Sequence, residues 1–233
     1  MESELSSLEP ALYLVPTPIG NKEDITYRAL RVLREADVIA CEDTRNTGHL
    51  LQIYGVVPKK LVALHGHNEM QSADYVLDFV EARKIVAYCS DAGTPGISDP
   101  GVILVRAALA RSLTIVPLPG PSASLTALIA SGLATDEFLF LGFAPHKKGR
   151  KTFLDRVVTY PFTVILYESP FRIATLVEEL KERCPERQLC IARELSKKFE
   201  EFLRGTVEDL DGVLKSRSAL KGEIVVILQG NTE

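Results

Sequence analysis

Short apolar, β-branched runs alternate with helix-period segments through the first half of this 233-residue chain. The runs at residues 12–15, 38–41, 61–64, 85–89 and 113–116 have the length and composition of buried strands. Residues 24–36 set Ala29, Leu30, Val32, Leu33 and Ala36 on one helical face, with Asp24 as the expected N-cap. Residues 69–82 repeat that pattern through Tyr75, Val76, Phe79 and Val80, which are expected to be buried. Five strands joined by helical crossovers predict an α/β domain built on a mainly parallel sheet.

The segment Pro117-Leu118-Pro119-Gly120-Pro121 breaks this rhythm with a stiff bend. It predicts a hinge that divides an N-terminal domain, residues 1–117, from a C-terminal domain, residues 118–233. Beyond it lie an apolar helix at 122–133 and strands at 138–143, 164–167, 189–192 and 224–228. A more polar strand candidate at 199–204 follows its neighbour so closely that the pair is expected to run antiparallel, giving a mixed sheet. The predicted fold class is therefore two α/β domains of similar size.

Composition adds bounds rather than identity. The chain is 46% hydrophobic and 25% charged, ordinary for a globular protein. No apolar run approaches the ~20 residues that span a bilayer, so no membrane partner is expected. The acidic, polar N-terminus predicts no secretory leader, and a cytoplasmic setting is expected. Cys41, Cys89, Cys184 and Cys190 lack metal spacing, and the strand-like surroundings of Cys41, Cys89 and Cys190 predict reduced, buried thiols. A net charge of −4 offers no general attraction to nucleic acid. One local run, His146-Lys147-Lys148-Gly149-Arg150-Lys151, stands against that balance; composition alone reads it as a solvated loop.

Candidate chemistry gathers at predicted strand ends, where open parallel sheets bind ligands. Ser90-Asp91-Ala92-Gly93-Thr94-Pro95-Gly96-Ile97-Ser98-Asp99-Pro100-Gly101 carries three glycines and two prolines between a strand and a helix. Its small residues let a ligand approach the backbone, and Asp91 sits just past the strand, with only Ser90 between. Pro16-Thr17-Pro18-Ile19-Gly20-Asn21 follows the first strand and matches neither a dinucleotide fingerprint nor a P-loop. Glu42-Asp43-Thr44-Arg45 offers acid–base groups and a phosphate contact, or simply a helix cap with an ion pair. His65-Gly66-His67-Asn68-Glu69 has no further ligand cluster around it, so polar substrate contacts or a helix cap are preferred to a metal. In the second half, Tyr167-Glu168-Ser169-Pro170 and the stretch from Ala192 to Lys198 also close predicted strands, and each alone reads as a plain cap or surface pair. Four polar loops on one sheet edge nevertheless argue for a cleft.

These motifs together resemble the tetrapyrrole methylase superfamily of S-adenosylmethionine (SAM)-dependent methyltransferases. Within it, the chain is similar to the branch that methylates a cytidine ribose 2′-hydroxyl in the decoding centre of small-subunit ribosomal RNA. The carrying stretches are LYLVPTPIGN, EDIT, ACEDTR, HNE, SDAGTPGISDPG, PLPGPSA, YESP and ARELSKKFEE, in the family's order along nearly the whole chain. Gly66 stands where the family often has Glu, Asn46 where it often has His, and Ser196 where it commonly has Thr.

The resemblance implies a SAM cleft between the two domains. Ile19, Ser90, Asp91, Ala92, Gly93, Ile97, Ser122, Ala123, Tyr167, Glu168 and Glu194 are the residues it assigns to the cofactor. Glu42, Asp43, Glu69 and Glu168 are then candidate bases for the ribose hydroxyl. Arg45, Arg193 and Lys197 are candidate phosphate clamps, Arg45 being the one placed with the catalytic set. Lys147, Lys148, Arg150 and Lys151 become expected RNA contacts. The resemblance further implies a homodimer and the assembled small subunit as partner. Two alternatives stand beside it, a tetrapyrrole C-methyltransferase and a SAM-binding module without catalysis.

Overall fold

The computed structural model describes residues 7–64, 69–217 and 220–231. The chain divides into two compact units, Met1–Ser122 and Ala123–Glu233. The division expected after Pro117 thus lies beyond the proline bend. Pro117 itself ends a strand, which is possible because that strand is at a sheet edge, where a missing N–H costs no ladder bond.

The first unit has five strands: β1 (Leu12–Leu14), β2 (Val38–Cys41), β3 (Leu61–Ala63), β4 (Val86–Cys89) and β5 (Ile115–Pro117). They pair in parallel in the order β3-β2-β4-β1-β5. Helices α1 (Tyr27–Glu35), α2 (Thr44–Ile53), α3 (Glu69–Glu81) and α4 (Val102–Ala110) connect them. One face buries Ala29, Val32 and Leu33 of α1 and Leu51 of α2 against Tyr13, Ile39 and Ala87. The other buries Val76 and Leu77 of α3 and Leu104 and Ala108 of α4 against Leu12, Ala40 and Val86. Because both faces are covered, the strands are apolar throughout rather than alternating. The loops leaving neighbouring strands β1 and β4 therefore run to helices on opposite faces, which opens a crevice at their carboxyl ends.

Two local expectations need correction. Asp24 does not cap α1. It lies in a single 3-10 turn, Lys22–Asp24, and Thr26 caps instead, its hydroxyl accepting from Ala29 N at 3.0 Å. Tyr75 is half exposed rather than buried. Its ring meets Phe79 edge-on at 5.2 Å, and its hydroxyl accepts from Lys60 Nζ at 2.8 Å, so the ring lies along the helix surface.

The second unit contains α5 (Ala123–Ser131), β6 (Phe138–Phe143), α6 (Arg150–Val157), β7 (Thr163–Glu168), α7 (Ile173–Lys181), β8 (Gln188–Arg193), β9 (Glu201–Thr206), α8 (Val207–Ser216) and β10 (Ile224–Leu228). The sheet order is β6-β7-β10-β8-β9. Only β6–β7 is parallel; β7–β10, β10–β8 and β8–β9 are antiparallel, so the sheet is mixed as the short β8–β9 spacing predicts. Leu154, Leu176, Val177 and Leu210 of α6, α7 and α8 pack on Leu166, Ile191 and Val226, while α5 lies against β7, β8 and β10. All four cysteines are free and buried.

At Gly101, φ is +124°, and a Cβ would stand 2.6 Å from Cε1 of the buried Tyr88 ring. Gly101→Ala is expected to lower unfolding stability by about 1–3 kcal/mol through strain and this clash. Urea titration checks it, and an unchanged midpoint would contradict the assignment.

Candidate functional site

Three loops at the carboxyl edge of the first sheet are fastened to one another. Thr17 N donates to Gly93 O and Gly93 N to Thr17 O, each at 2.9 Å. The Thr17 hydroxyl donates to Ser90 O at 3.1 Å, and the Thr94 hydroxyl to Pro121 O at 2.9 Å. Gly120 approaches so closely that a Cβ there would meet Pro16 Cβ at 2.6 Å. Gly93 is buried at φ +79°, with Ile19 Cγ2 only 3.5 Å from where its Cβ would be. Prolines and glycines thus build a stiff platform whose backbone is nearly bare of side chains.

Asp91 stands exposed on this platform beside Ala92, while Ser90 is buried beneath it. The Asp91 carboxylate ties in a further loop: Oδ1 accepts from Asp43 N at 3.3 Å and Oδ2 from Asn46 Nδ2 at 2.7 Å. Ile97, 44% exposed, presents an apolar surface in the same loop.

The neighbouring acids behave differently from one another. Asp43 caps α2 by accepting from Arg45 N at 2.8 Å, and its carboxylate grips the Arg45 guanidinium through 3.2 Å and 2.8 Å contacts. These bonds hold its pKa down at about 2, so Asp43 is a weak base at neutral pH. Glu42 is pushed upward by burial and then by the Asp91 charge. Asp99 is raised from 3.8 to about 6, mainly by burial and then by the charges of Glu42 and Asp91. Neither Asp99 nor Asn46 is among the candidate site residues that the sequence offers. The available signal for Asp99 was a second acid in a Gly/Pro-rich loop, whose bends return the chain toward its own strand end.

His65, Gly66, His67 and Asn68, and the side chain of Glu69, lie outside the described residues. Among the described residues no cluster of three His, Cys, Asp or Glu side chains has the proximity of a metal site. Ser122 is half-buried at the end of the proline bend.

In the second unit Ala123 is the first residue of α5, and Tyr167 is half-buried near the end of β7. The Tyr167 ring meets Phe140 and Phe143 edge-on at 5.0 Å and 5.5 Å. Glu194 adopts φ 53° and accepts from Lys197 Nζ at 3.0 Å and Glu223 N at 3.1 Å. The Lys197 contact lowers its pKa. A Cβ at Gly222 would stand 2.3 Å from the Glu194 carboxyl, so glycine is what leaves Glu194 its place.

Glu168 is not an available base, and its buried side chain is not an available cofactor contact either. Its side chain is fully buried, accepting from Ser169 N at 2.7 Å and paired with Arg172 at 2.7 Å and Arg150 at 3.5 Å. Arg150 is likewise not a free RNA contact. It is 8% exposed, because its fork reaches inward to Glu179 at 2.7 Å and to Pro145 O at 3.0 Å. Lys147, Lys148 and Lys151 remain exposed, and their ammonium groups have no ion pair among the described residues. The other candidate clamps are already paired: Arg45 with Asp43, Arg193 with Glu201, and Lys197 with Glu194 and Glu223.

Residues 11–211 match the family model of tetrapyrrole (corrin/porphyrin) methylases. The chain is 45% identical over 220 residues to the ribosomal RNA small subunit methyltransferase I of Streptococcus pyogenes serotype M3, covering 94% of this chain and 76% of that protein. It is 43% identical over 217 residues to the protein of the same name from Hydrogenobaculum sp., covering 93% and 94%. Among solved structures, uroporphyrin-III C-methyltransferase of Thermus thermophilus, complexed with S-adenosylhomocysteine, superposes with a TM-score of 0.64 at 20% identity, covering 94% and 97%.

The carboxylate cluster generates a pH-dependent expectation. The Asp99 pKa is higher folded than unfolded, so its favourable contribution is complete below the unfolded value and is lost as pH rises through about 6. Asp99→Asn is expected to raise Tm at about pH 8 and to lose that gain near pH 4. Thermal melts at both pH values check this; an equal change at each would contradict it.

Proposed function

The chain belongs to the family of tetrapyrrole (corrin/porphyrin) methylases, and on that premise we propose that it is a SAM-dependent methyltransferase acting on a cytidine ribose 2′-hydroxyl of small-subunit ribosomal RNA. The observation that carries the reading is the Gly/Pro platform holding an exposed Asp91 at the carboxyl edge of a parallel sheet. The RNA assignment is supported by relatives such as the 45%-identical streptococcal protein, whose name specifies small-subunit rRNA. The likeness to tetrapyrrole enzymes is at the level of fold.

The residues present fit the cofactor. Asp91 offers an anionic partner to an ammonium group. The bare backbone at Ala92 and Gly93 permits close approach, and Ile97 gives an apolar wall for a purine. Ile19 and Ser90 support the loop from beneath, with Ser122 at the end of the neighbouring bend. Ala123, Tyr167 and Glu194, which the family resemblance assigns to the cofactor, lie in the second unit. When bound, SAM supplies a methyl group activated on a sulfonium.

The protein's own task is to align the ribose hydroxyl, exclude water and accept its proton. Of the acids at the edge, Glu42 and Asp99 have raised proton affinity and suit a base, whereas Asp43 is held too acidic and serves to place Arg45. Lys147, Lys148 and Lys151 supply the local positive charge that an acidic protein needs to hold RNA phosphates. We further propose action on the assembled subunit by a homodimer, in the cytoplasm, where that substrate is found.

The test is incubation with methyl-labelled SAM and purified small ribosomal subunits lacking the modification. Label is expected in rRNA, at one linkage that resists alkali because its 2′-oxygen is methylated. Label elsewhere, or none despite SAM binding, would overturn the assignment.

A further inference from the structure

The loop between β6 and α6 and the first turn of α6 carry their cations in two ways. Lys147, Lys148 and Lys151 face solvent, whereas Arg150, between them in sequence, is turned inward. Arg150 Nη1 donates to Pro145 O at 3.0 Å and closes the loop across its own base. Its Nε and Nη2 hold Glu179 of α7 at 2.8 Å and 2.7 Å, and Nη1 reaches Glu168 at 3.5 Å. Glu168 also accepts from Arg172 Nε at 2.8 Å, and the Arg172 guanidinium lies against the ring of His146, the loop's first polar residue. One buried carboxylate at the end of β7 thus joins both ends of the loop to α7.

Stability alone does not explain this arrangement. Burying Arg150 with Glu168, and half-burying Arg172 and Glu179 beside them, carries a desolvation cost that well-packed apolar residues would avoid. What the charges give is a single geometry: the planar Arg150 fork hydrogen-bonds through Nε and Nη1 and sets Nη2 within ion-pair distance of Glu179. The network is also neutral, two cations against two anions. The lysines are therefore presented over a base that neither repels phosphate nor competes for them. The loop is held before any ligand arrives, which lowers the ordering cost on binding.

We propose that the Arg150–Glu168–Arg172 network is a positioning device, which fixes residues 146–151, the loop and the first residues of α6, so that Lys147, Lys148 and Lys151 meet RNA phosphates together. It rests on the reading of that loop as an RNA contact. Glu168 and Arg150 act through the lysines and touch neither substrate.

The test is a double-mutant cycle combining Glu168→Gln with the triple change of Lys147, Lys148 and Lys151 to Ala. KM for small subunits, kcat and SAM affinity are measured in the full chain. Glu168→Gln is expected to raise KM about tenfold with kcat and SAM affinity unchanged, and to add less than about twofold on the triple-lysine background. If Glu168→Gln does not fold, Glu179→Gln loosens the same Arg150 fork from the α7 side and is read identically. Equal losses on both backgrounds, no loss in the otherwise native chain, or a parallel loss of SAM affinity would each overturn positioning. A triple-lysine variant with native KM would overturn the RNA reading of the loop and the proposal with it, a result distinct from additivity.

Discussion

The paired backbone bonds between Thr17 and Gly93 are the constraint on which the rest of the first unit's site depends. They join the loop after β1 to the loop after β4, the two strands whose crossovers diverge to opposite faces of the sheet. A crevice at such a point is ordinarily lined by mobile connections. Here prolines fix φ, glycines remove the side chains that would clash, and the Thr17 and Thr94 hydroxyls satisfy carbonyls that would otherwise be stranded. Asp91 can then extend the lock outward to Asn46 and the start of α2 without needing to be buried itself.

Charge is distributed along the chain with a corresponding division of labour. The first unit concentrates Glu42, Asp91 and Asp99 near one edge, where burial, and then the charges of neighbouring acids, raise the proton affinity of Glu42 and Asp99 and cost stability. That is the expected signature of a working site, since a well-packed structural region would have no reason to keep unpaired acids together. The second unit instead neutralises its buried charges in pairs around Glu168 and leaves lysines outside. An acidic protein thereby presents a local cationic surface without a cationic whole.

Much of the fold was legible because the strands are continuous apolar runs: β2, β6 and β10 occupy the same residues that the pattern marks. The mixed sheet followed from the short β8–β9 separation. Cap choice was less legible, since Asp24 and Thr26 are both good caps and only the 3-10 turn decides between them. In the site, strand-end loops located Asp91, but side-chain direction was hidden. The run from His146 to Lys151 reads as uniform positive charge, yet Arg150 at the first turn of α6 points inward to Glu179 while its lysine neighbours point out. Glu168 looked like a base for the same reason: sequence shows an acid at a strand end, and only packing shows two arginines around it. Asp99 depends on the folding-back of its loop, which residue spacing does not encode.

SAM binding in the proposed site turns on the Asp91 charge, and SAM titration calorimetry of Asp91→Asn tests this most directly. The amide keeps the shape and much of the hydrogen bonding toward Asn46 and Asp43 while removing the anion that would pair with the ammonium. Loss of that charge-assisted bond is expected to weaken SAM binding by about tenfold or more, in a protein whose melting temperature is close to native. A folded Asp91→Asn protein that binds SAM as tightly as the native chain would contradict the assignment.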